Sequence, residues 1–410
     1  MQKLIFIFLA GLLVFLVDLY VFQAILTATQ HLSGFWQMVI SRLYWFWYII
    51  TFVTLALAIL SRRTPPTPFQ KYWATVLFIV LASKLVVIFF LFLEDIWRFM
   101  QLLLQYFSAE NDHAIPRNKI WSIIALIMGT VPLSAFIYGI AHGAFHYKVK
   151  RVALHFPDLP VAFHGFKMVQ ISDLHTGSFT NEKPLKRAVK LINAQEPDVI
   201  FFTGDLVNNI ADEVQPYIPV LSELKGKMGV FSVLGNHDYG DYVSWQTRSA
   251  KIENLERLKH AHARMGWHLL MNTNVKLERE TDRIAILGVE NWGNRAGFPK
   301  YGKLYKAHQG VEDIPFKILL SHDPSHWDGE VNTKFPDIHL TLSGHTHGMQ
   351  FGIDLPFFKW SPVQYVYKQW SGLYQKGPQY LYVNVGLGFL GYPGRVGFRP
   401  EITVFELQRS

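Results

Sequence analysis

The chain has 410 residues, half of them hydrophobic and only 17% charged, against about 25% in an ordinary soluble domain, and it is too long for one small domain. It has no cysteine, which excludes a disulfide framework, thiolate metal ligands and a cysteine nucleophile. The formal net charge of +8 is weak evidence for a nucleic-acid partner, because the basic residues flank apolar segments, where membrane topology accounts for them.

Four apolar stretches open the chain, at about 4–26, 44–60, 73–93 and 121–142. Each has about the length that crosses a hydrocarbon core of ~30 Å. The first is too long, and too closely followed by others, for a cleaved signal peptide. Aromatic residues crowd the ends, as in the run Tyr44–Tyr48, in the manner of interfacial anchors. Residues 1–147 are therefore expected to be a multispan transmembrane region. Lys3 precedes the first span, Arg62, Arg63 and Lys71 separate the second and third, and Lys148, Lys150 and Arg151 follow the fourth. The loop between the third and fourth spans is expected to carry Glu94, Asp95, Glu110 and Asp112 against Arg98, Arg117 and Lys119. The positive-inside rule then places both termini, and the C-terminal domain, in the cytoplasm. Asp18 and Lys84 lie inside the first and third spans, which run in the same direction and place the two at similar depth. Unpaired charges are costly there, so the two are expected to form an ion pair.

Residues 148–164 read as a linker and first strand. From 165 to 410, apolar runs of strand length alternate with amphipathic stretches and turn residues. Strands are expected in FKMVQIS (166–172), DVIFFTG (198–204), VFSVLG (230–235), RIAILGV (283–289), FKILLSH (316–322), IHLTLSG (338–344), YLYVNVG (380–386) and EITVFEL (401–407). Helices are expected in 184–195 and 251–266, with Gly266 ending the second. Continuous apolar strands among helices predict buried sheets covered by helices.

The chemistry-bearing residues follow these strands: Asp173 and His175, then Asp205, then Asn236, His237 and Asp238, then His322, then His345 and His347. In an open α/β sheet the carboxyl ends of the strands are where ligands bind, so five such loops can converge. Residues i and i+2 of extended chain point to one side, so each of the pairs Asp173/His175 and His345/His347 is expected to face a single cavity. Gly204, Gly235 and Gly344 are expected to let the backbone turn before a ligand. Carboxylate, imidazole and amide donors suit ions such as Mn, Zn, Fe or Mg. Six or seven of them exceed a tetrahedral zinc site and fit two ions bridged by a carboxylate.

In this order, D-x-H, G-D, G-N-H-D, H and G-H-x-H resemble the calcineurin-like metallophosphoesterases over roughly 165–407. The stretches FHGFKMVQISDLHTG and NVGLGFLGYPGRVGFRPEITVFEL are most similar to its membrane-associated bacterial phosphodiesterase-like branch. The resemblance implies an αββα sandwich of two mixed sheets with a dimetal site at its edge. It implies Asp173, His175 and His347 at one metal, Asn236, His322 and His345 at the other, and Asp205 bridging. It further implies His237 as the acid at the leaving oxygen, oriented by Asp238, and a metal-activated hydroxide attacking phosphorus without a phosphoenzyme. His164 departs from the acidic residue that relatives often carry before GFK, outside the ligand set.

Arg395 and Arg399 are candidate phosphate ligands, because a guanidinium forks onto phosphate oxygens. His260, His262 and His268 are read as residues of a surface helix and its end, outside the metal set. The aromatic stretch Leu355–Gly372 reads first as a hairpin packed on the sandwich, and second as a loop resting on the bilayer or gripping an acyl chain. The function expected is a membrane-anchored, dimetal-dependent phosphohydrolase cleaving a phosphoester or pyrophosphate bond, on a lipid-linked substrate at the bilayer surface. The alternatives are hydrolysis of the pyrophosphate of UDP-2,3-diacylglucosamine, a nuclease or cyclic-nucleotide phosphodiesterase, and a non-catalytic membrane scaffold or sensor. No aromatic-interleaved basic groove supports nucleic acid. The oligomeric state is left open.

Overall fold

The structure is a computed structural model that describes residues 2–61, 68–108, 114–295 and 297–410. Arg62, Arg63, Glu110 and Asp112, and the side chains of Lys3 and Lys71, lie outside the described residues. The chain forms two compact units, Met1–Tyr138 and Gly139–Ser410.

The first unit is built from helices α1 (Gln2–Thr29), α2 (Gly34–Ser61), α3 (Pro68–Ser108) and most of α4 (Lys119–Ala141). All four are long and apolar enough to cross a membrane. Their large apolar side chains, such as Phe8, Leu13, Phe89 and Phe92, point outward. Water would penalise that arrangement, whereas lipid tails solvate it. Helix α3 does not stop at Leu93 as expected. Its 41 residues extend about 60 Å at 1.5 Å per residue, so Glu94, Asp95 and Arg98 lie in the helix and not in a loop. No helix breaker intervenes before Ser108, and Arg117 caps the charges, lying 2.9 Å from both Glu94 and Asp95. The expected ion pair is present: Lys84 Nζ lies 2.6 Å from Asp18 Oδ1, with Asp18 fully buried.

The second unit is a four-layer sandwich. Its strands are β1 (Lys148–Phe156), β2 (Phe166–Ile171), β3 (Val199–Phe202), β4 (Val230–Ser232), β5 (Trp267–Leu269), β6 (Thr273–Arg279), β7 (Asp282–Gly288), β8 (Lys317–Leu320), β9 (Leu340–Ser343), β10 (Ile353–Leu355), β11 (Phe358–Trp360), β12 (Gly372–Lys376), β13 (Gln379–Val383) and β14 (Glu401–Arg409). One six-stranded sheet has the order β1-β14-β2-β3-β4-β5 and the other β12-β13-β9-β8-β7-β6. Both are mixed: β2, β3 and β4 run parallel while β14 is antiparallel to β2, and β7, β8 and β9 run parallel while β6 is antiparallel to β7.

The side-chain alternation of the strands builds the layers. In β2 and β3, Phe166, Met168, Val199 and Phe201 face the second sheet, joining Ile284, Ile286, Ile318 and Leu342 in the central core. Their neighbours Val169, Ile171, Ile200 and Phe202 face the helical layer of α5 (Lys183–Asn193) and α6 (Arg248–Arg264), against Leu185, Val189 and Leu258. The strands are therefore apolar on both faces and read as continuous runs. The edge strands β6 and β12 carry polar, partly exposed residues, which is why no apolar run marked them.

Candidate metal centre

The ligand candidates sit in the loops that leave the C-terminal ends of β2, β3, β4, β8 and β9. Strands β2–β4 are parallel within one sheet and β8–β9 within the other, so the five loops emerge at one edge of the sandwich. The backbone ties them together. The N–H of Asp173 donates to the Gly204 carbonyl at 2.9 Å, that of Gly344 to the His322 carbonyl at 2.9 Å, and that of His345 to the Asp173 carboxylate at 3.1 Å.

Two clusters result. Asp173, His175 and His347 bring one donor atom each within 4.8 Å of one another, and so do Asp205, His322 and His345. In the first, His175 Nε2 lies 3.0 Å from His347 Nε2, and His347 Nε2 lies 3.2 Å from Asp173 Oδ1. In the second, His345 Nδ1 lies 3.3 Å from His322 Nε2 and 2.8 Å from Asn236 Oδ1. Asp205 Oδ2 reaches both clusters, 3.5 Å from His175 Nε2 and 3.2 Å from His322 Nε2. Buried nitrogens and carboxylate oxygens that face one another in this way fit two divalent cations sharing Asp205.

The surroundings fix which atoms face inward. His322 Nδ1 donates to the Thr203 carbonyl at 2.7 Å, which turns the lone pair of Nε2 toward Asp205. Asn236 Nδ2 donates to the Tyr242 hydroxyl at 2.8 Å, which aims Oδ1 at His345. His345 Nε2 lies 2.7 Å from the Tyr367 hydroxyl, leaving Nδ1 for the centre. Burial would lower the His322 pKa, but the Asp205 carboxylate overrides it and raises it to about 10. Asp205 is correspondingly held well below the usual carboxylate range despite its burial, by His322 above all. A divalent cation between these groups would replace the proton His322 otherwise holds. Burial depresses His175 to about 3, leaving its ring neutral and ready to ligate.

The local backbone differs from the extended reading. Asp173, His175, Asp205, His345 and His347 have φ of 52°, 49°, 60°, 72° and 53°. These are left-handed conformations that L-residues avoid at a cost of about 1–3 kcal/mol each. The i, i+2 argument therefore fails at Thr346: His345 turns to the second cluster and His347 to the first. Of the three glycines, only Gly204 has positive φ, at +99°. Gly235 and Gly344 matter for a different reason, since a Cβ at Gly235 would strike Asp205 and one at Gly344 would strike Ser172 and Asp173.

His237 stands beside the centre, partly exposed. Its backbone N–H donates to Asp205 Oδ1 at 2.9 Å, and its Nδ1 lies 2.7 Å from the Asn208 carbonyl. Its ring packs 5.0 Å from that of His175 and 4.5 Å from that of Tyr242. Asp238 does not orient this ring. Its carboxylate turns inward and accepts from the N–H groups of Gly235, Asp205, Leu206 and Val207 at 2.8–3.2 Å. It thus clamps the loops after β3 and β4 together. Burial and the nearby Asp205 charge push its pKa up to about 7, against the pull of those donors.

The two C-terminal arginines do not face the centre's opening. Arg395 is buried, and its guanidinium donates to the carbonyls of Gly388 at 2.6 Å and Val385 at 2.8 Å and lies 3.3 Å from His347 Nδ1. Burial lowers its pKa to about 10. It supports the His347 loop from below. Arg399 donates to the carbonyls of His146 and Tyr147. An exposed guanidinium one side chain removed from the centre is that of Arg295, 4.6 Å from the ring of Tyr367, whose hydroxyl lies 2.7 Å from His345 Nε2. His260 and His268 are exposed as expected, but His262 is buried, with Nδ1 3.0 Å from Ser232 Oγ. Sequence reasoning missed Asn208, Tyr242, Arg295 and Tyr367. Asn208 and Tyr242 lie in the ligand loops, just past Asp205 and Asp238, while Arg295 and Tyr367 come from other loops, and no motif marks any of the four.

Two families match parts of the chain. Residues 166–349 match the family described as Calcineurin-like phosphoesterase. Residues 2–144 match the Probable Calcineurin-like phosphoesterase, transmembrane domain. A transmembrane protein with metallophosphoesterase domain from Danio rerio is 30% identical over 83% of this chain and 75% of its own length. The uncharacterized metallophosphoesterase YkuE of Bacillus subtilis is 35% identical over 62% of this chain and 82% of its own. The UDP-2,3-diacylglucosamine pyrophosphatase LpxG of Chlamydia trachomatis is 27% identical over 59% of this chain and 83% of its own. Among solved structures, a 5'-nucleotidase precursor from Thermus thermophilus aligns at 12% identity and a TM-score of 0.36 over 59% of this chain, which spans 54% of that structure.

Proposed function

The chain belongs to the calcineurin-like phosphoesterase family, as an integral membrane protein and a metal-dependent phosphoric ester hydrolase, and from that premise we propose that it cleaves a phosphoester or pyrophosphate bond of a lipid-linked substrate at the bilayer surface. The observation that carries the chemistry is Asp205, whose one oxygen lies within 3.5 Å of a histidine from each cluster. Asp173, His175 and His347 would hold one divalent cation, Asn236, His322 and His345 the other, and Asp205 both. The cations, when bound, supply Lewis acidity toward the phosphoryl oxygens and lower the pKa of water.

The chain's own residues do the rest. His237 is anchored through Nδ1 by the Asn208 carbonyl, which leaves Nε2 to protonate the leaving oxygen. Asp238 keeps His237 and Asp205 in register through the backbone and not through the imidazole. Arg295 offers a bidentate fork to the substrate's remaining anionic group. The lipid-linked substrate is favoured by the membrane unit carried in the same chain. The relative named a UDP-2,3-diacylglucosamine pyrophosphatase makes that compound the first substrate to try. We place the catalytic unit on the cytoplasmic side, supported by Lys148, Lys150 and Arg151 after the last span. Labelling Lys227→Cys, the sole thiol in a chain without cysteine, with an impermeant maleimide tests this: reaction in intact cells would overturn it.

The decisive experiment is hydrolysis by detergent-purified protein, chelated and then given Mn, Zn, Mg or no metal. The substrates are a phosphomonoester, a phosphodiester and UDP-2,3-diacylglucosamine, and Asp205→Ala runs in parallel. Metal-dependent turnover of the lipid-linked compound, lost in the variant along with bound metal, is expected. Turnover of the water-soluble esters alone would overturn the lipid-linked assignment.

A further inference from the structure

The loop that carries His345 and His347 continues directly into an exposed apolar hairpin. After His347 the chain passes Met349 and Phe351, then forms β10 and β11, paired Ile353 to Trp360 and Leu355 to Phe358. Ile353, Leu355, Phe357 and Phe358 are all exposed, Phe357 to 86%. Tyr365, a few residues on, is 77% exposed. Contiguous exposed apolar side chains of this kind are costly in water and mark a surface with a partner. They contrast with the central strands β2, β3, β8 and β9, whose apolar side chains are buried in the cores of this unit.

The position of the hairpin selects the partner. Lys148, the first residue of β1, lies with its Nζ 3.5 Å from Asp354 Oδ2 in the hairpin. Lys148 follows closely on Ala141, the end of the last membrane-length helix, a span of at most about 25 Å of extended chain. A second tie runs through the backbone. Gly139 belongs to this unit, and its carbonyl accepts from the Arg395 N–H at 3.2 Å. The adjoining Val396 bridges to Phe351, at the foot of the hairpin. The hairpin is thus tethered from two sides to the residues that leave the membrane. Lys148 is exposed beside it, the composition of an interfacial element: aromatic side chains at the acyl boundary and a lysine at the headgroups.

We propose that the hairpin Ile353–Trp360, together with Tyr365, inserts its apolar side chains into the headgroup–acyl boundary of the bilayer that the protein's own helices cross. Because the same loop holds His345 and His347, this contact sets the metal centre at a fixed height beside the membrane surface. The inference goes beyond the phosphohydrolase reading and does not depend on it.

The absence of cysteine makes the test direct. Phe357→Cys and, separately, Tyr365→Cys are spin-labelled in the full chain reconstituted in phosphatidylcholine–phosphatidylglycerol nanodiscs. Lys227→Cys, just before β4 and so at the opposite strand ends from the ligands, is the control, 68% exposed. Collision rates with molecular oxygen and with a water-soluble nickel chelate are compared. The oxygen-to-nickel ratio at 357 and 365 is expected to be several-fold that at 227, and to fall to the control value when the protein is moved to a detergent-free amphipol. Nickel accessibility at 357 equal to that at 227 in nanodiscs would overturn the proposal, and would leave the phosphohydrolase reading standing. Dipolar broadening at 357 would overturn it in favour of a second copy of the chain covering the hairpin.

Discussion

His237 illustrates how a single side chain is prepared for chemistry by its neighbours. The Asn208 carbonyl at Nδ1 and the flanking rings of His175 and Tyr242 fix the imidazole. None of these contacts uses its Nε2. His237→Ala is therefore expected to lower kcat by about 10²-fold or more while leaving bound metal, measured by elemental analysis, unchanged. Metal loss in that variant would make it a ligand or a scaffold. Arg295 acts differently. It rests on the Tyr367 ring without a buried role, so Arg295→Ala should raise KM by about tenfold, the value of roughly one charge-assisted hydrogen bond, with a smaller change in kcat. An unchanged KM would remove Arg295 from the substrate site. The residue types at the metal centre were readable because the chemistry demands them. The second contacts of each were not, since any carbonyl or hydroxyl can hold a histidine.

Elements were readable where burial imposed a pattern. The four spans and the central strands stood out because lipid or a two-sided core leaves few polar positions in them. Helix α3 overran its expected end because the expected limit followed the apolar run to Leu93, whereas the helix continues to Ser108 with no breaker in the way and with Arg117 neutralising Glu94 and Asp95. The Asp18–Lys84 pair joins α1 to α3, and its energetics can be isolated. Lys84→Leu leaves a buried carboxylate unpaired and should destabilise the membrane unit by about 3–5 kcal/mol. Asp18→Leu combined with Lys84→Leu should recover most of that loss. Thermal unfolding in detergent measures both, and equal losses in the single and double variants would deny the pairing any energetic role.

At the scale of the whole molecule, stability depends on keeping the helical layer on the first sheet. His262 of α6 reaches from that layer to Ser232 of β4. Burial depresses its pKa from 6.5 to about 3. Below pH 6.5 the unfolded chain therefore takes up a proton that the folded chain takes up only below about 3. The stabilisation is present in full above pH 6.5 and is lost progressively as pH falls to about 3, on the order of 5 kcal/mol in all. His262→Asn should flatten the acid limb of a melting-temperature profile relative to the parent chain; identical slopes would mean that His262 charges without penalty. By itself the sequence determined the membrane unit, buried sheets covered by helices and the candidate ligand types, because lipid, two-sided burial and metal coordination each restrict which side chains a position accepts; the αββα sandwich was what the family resemblance implied. Only the tertiary structure decided that left-handed backbone, and not extended chain, presents His345 and His347, that Asp238 clamps backbone and leaves the imidazole alone, and that Arg395 is a buried prop while Arg295 faces outward. Those outcomes depend on left-handed turns and on contacts between loops far apart in the chain, which no local pattern of residues encodes.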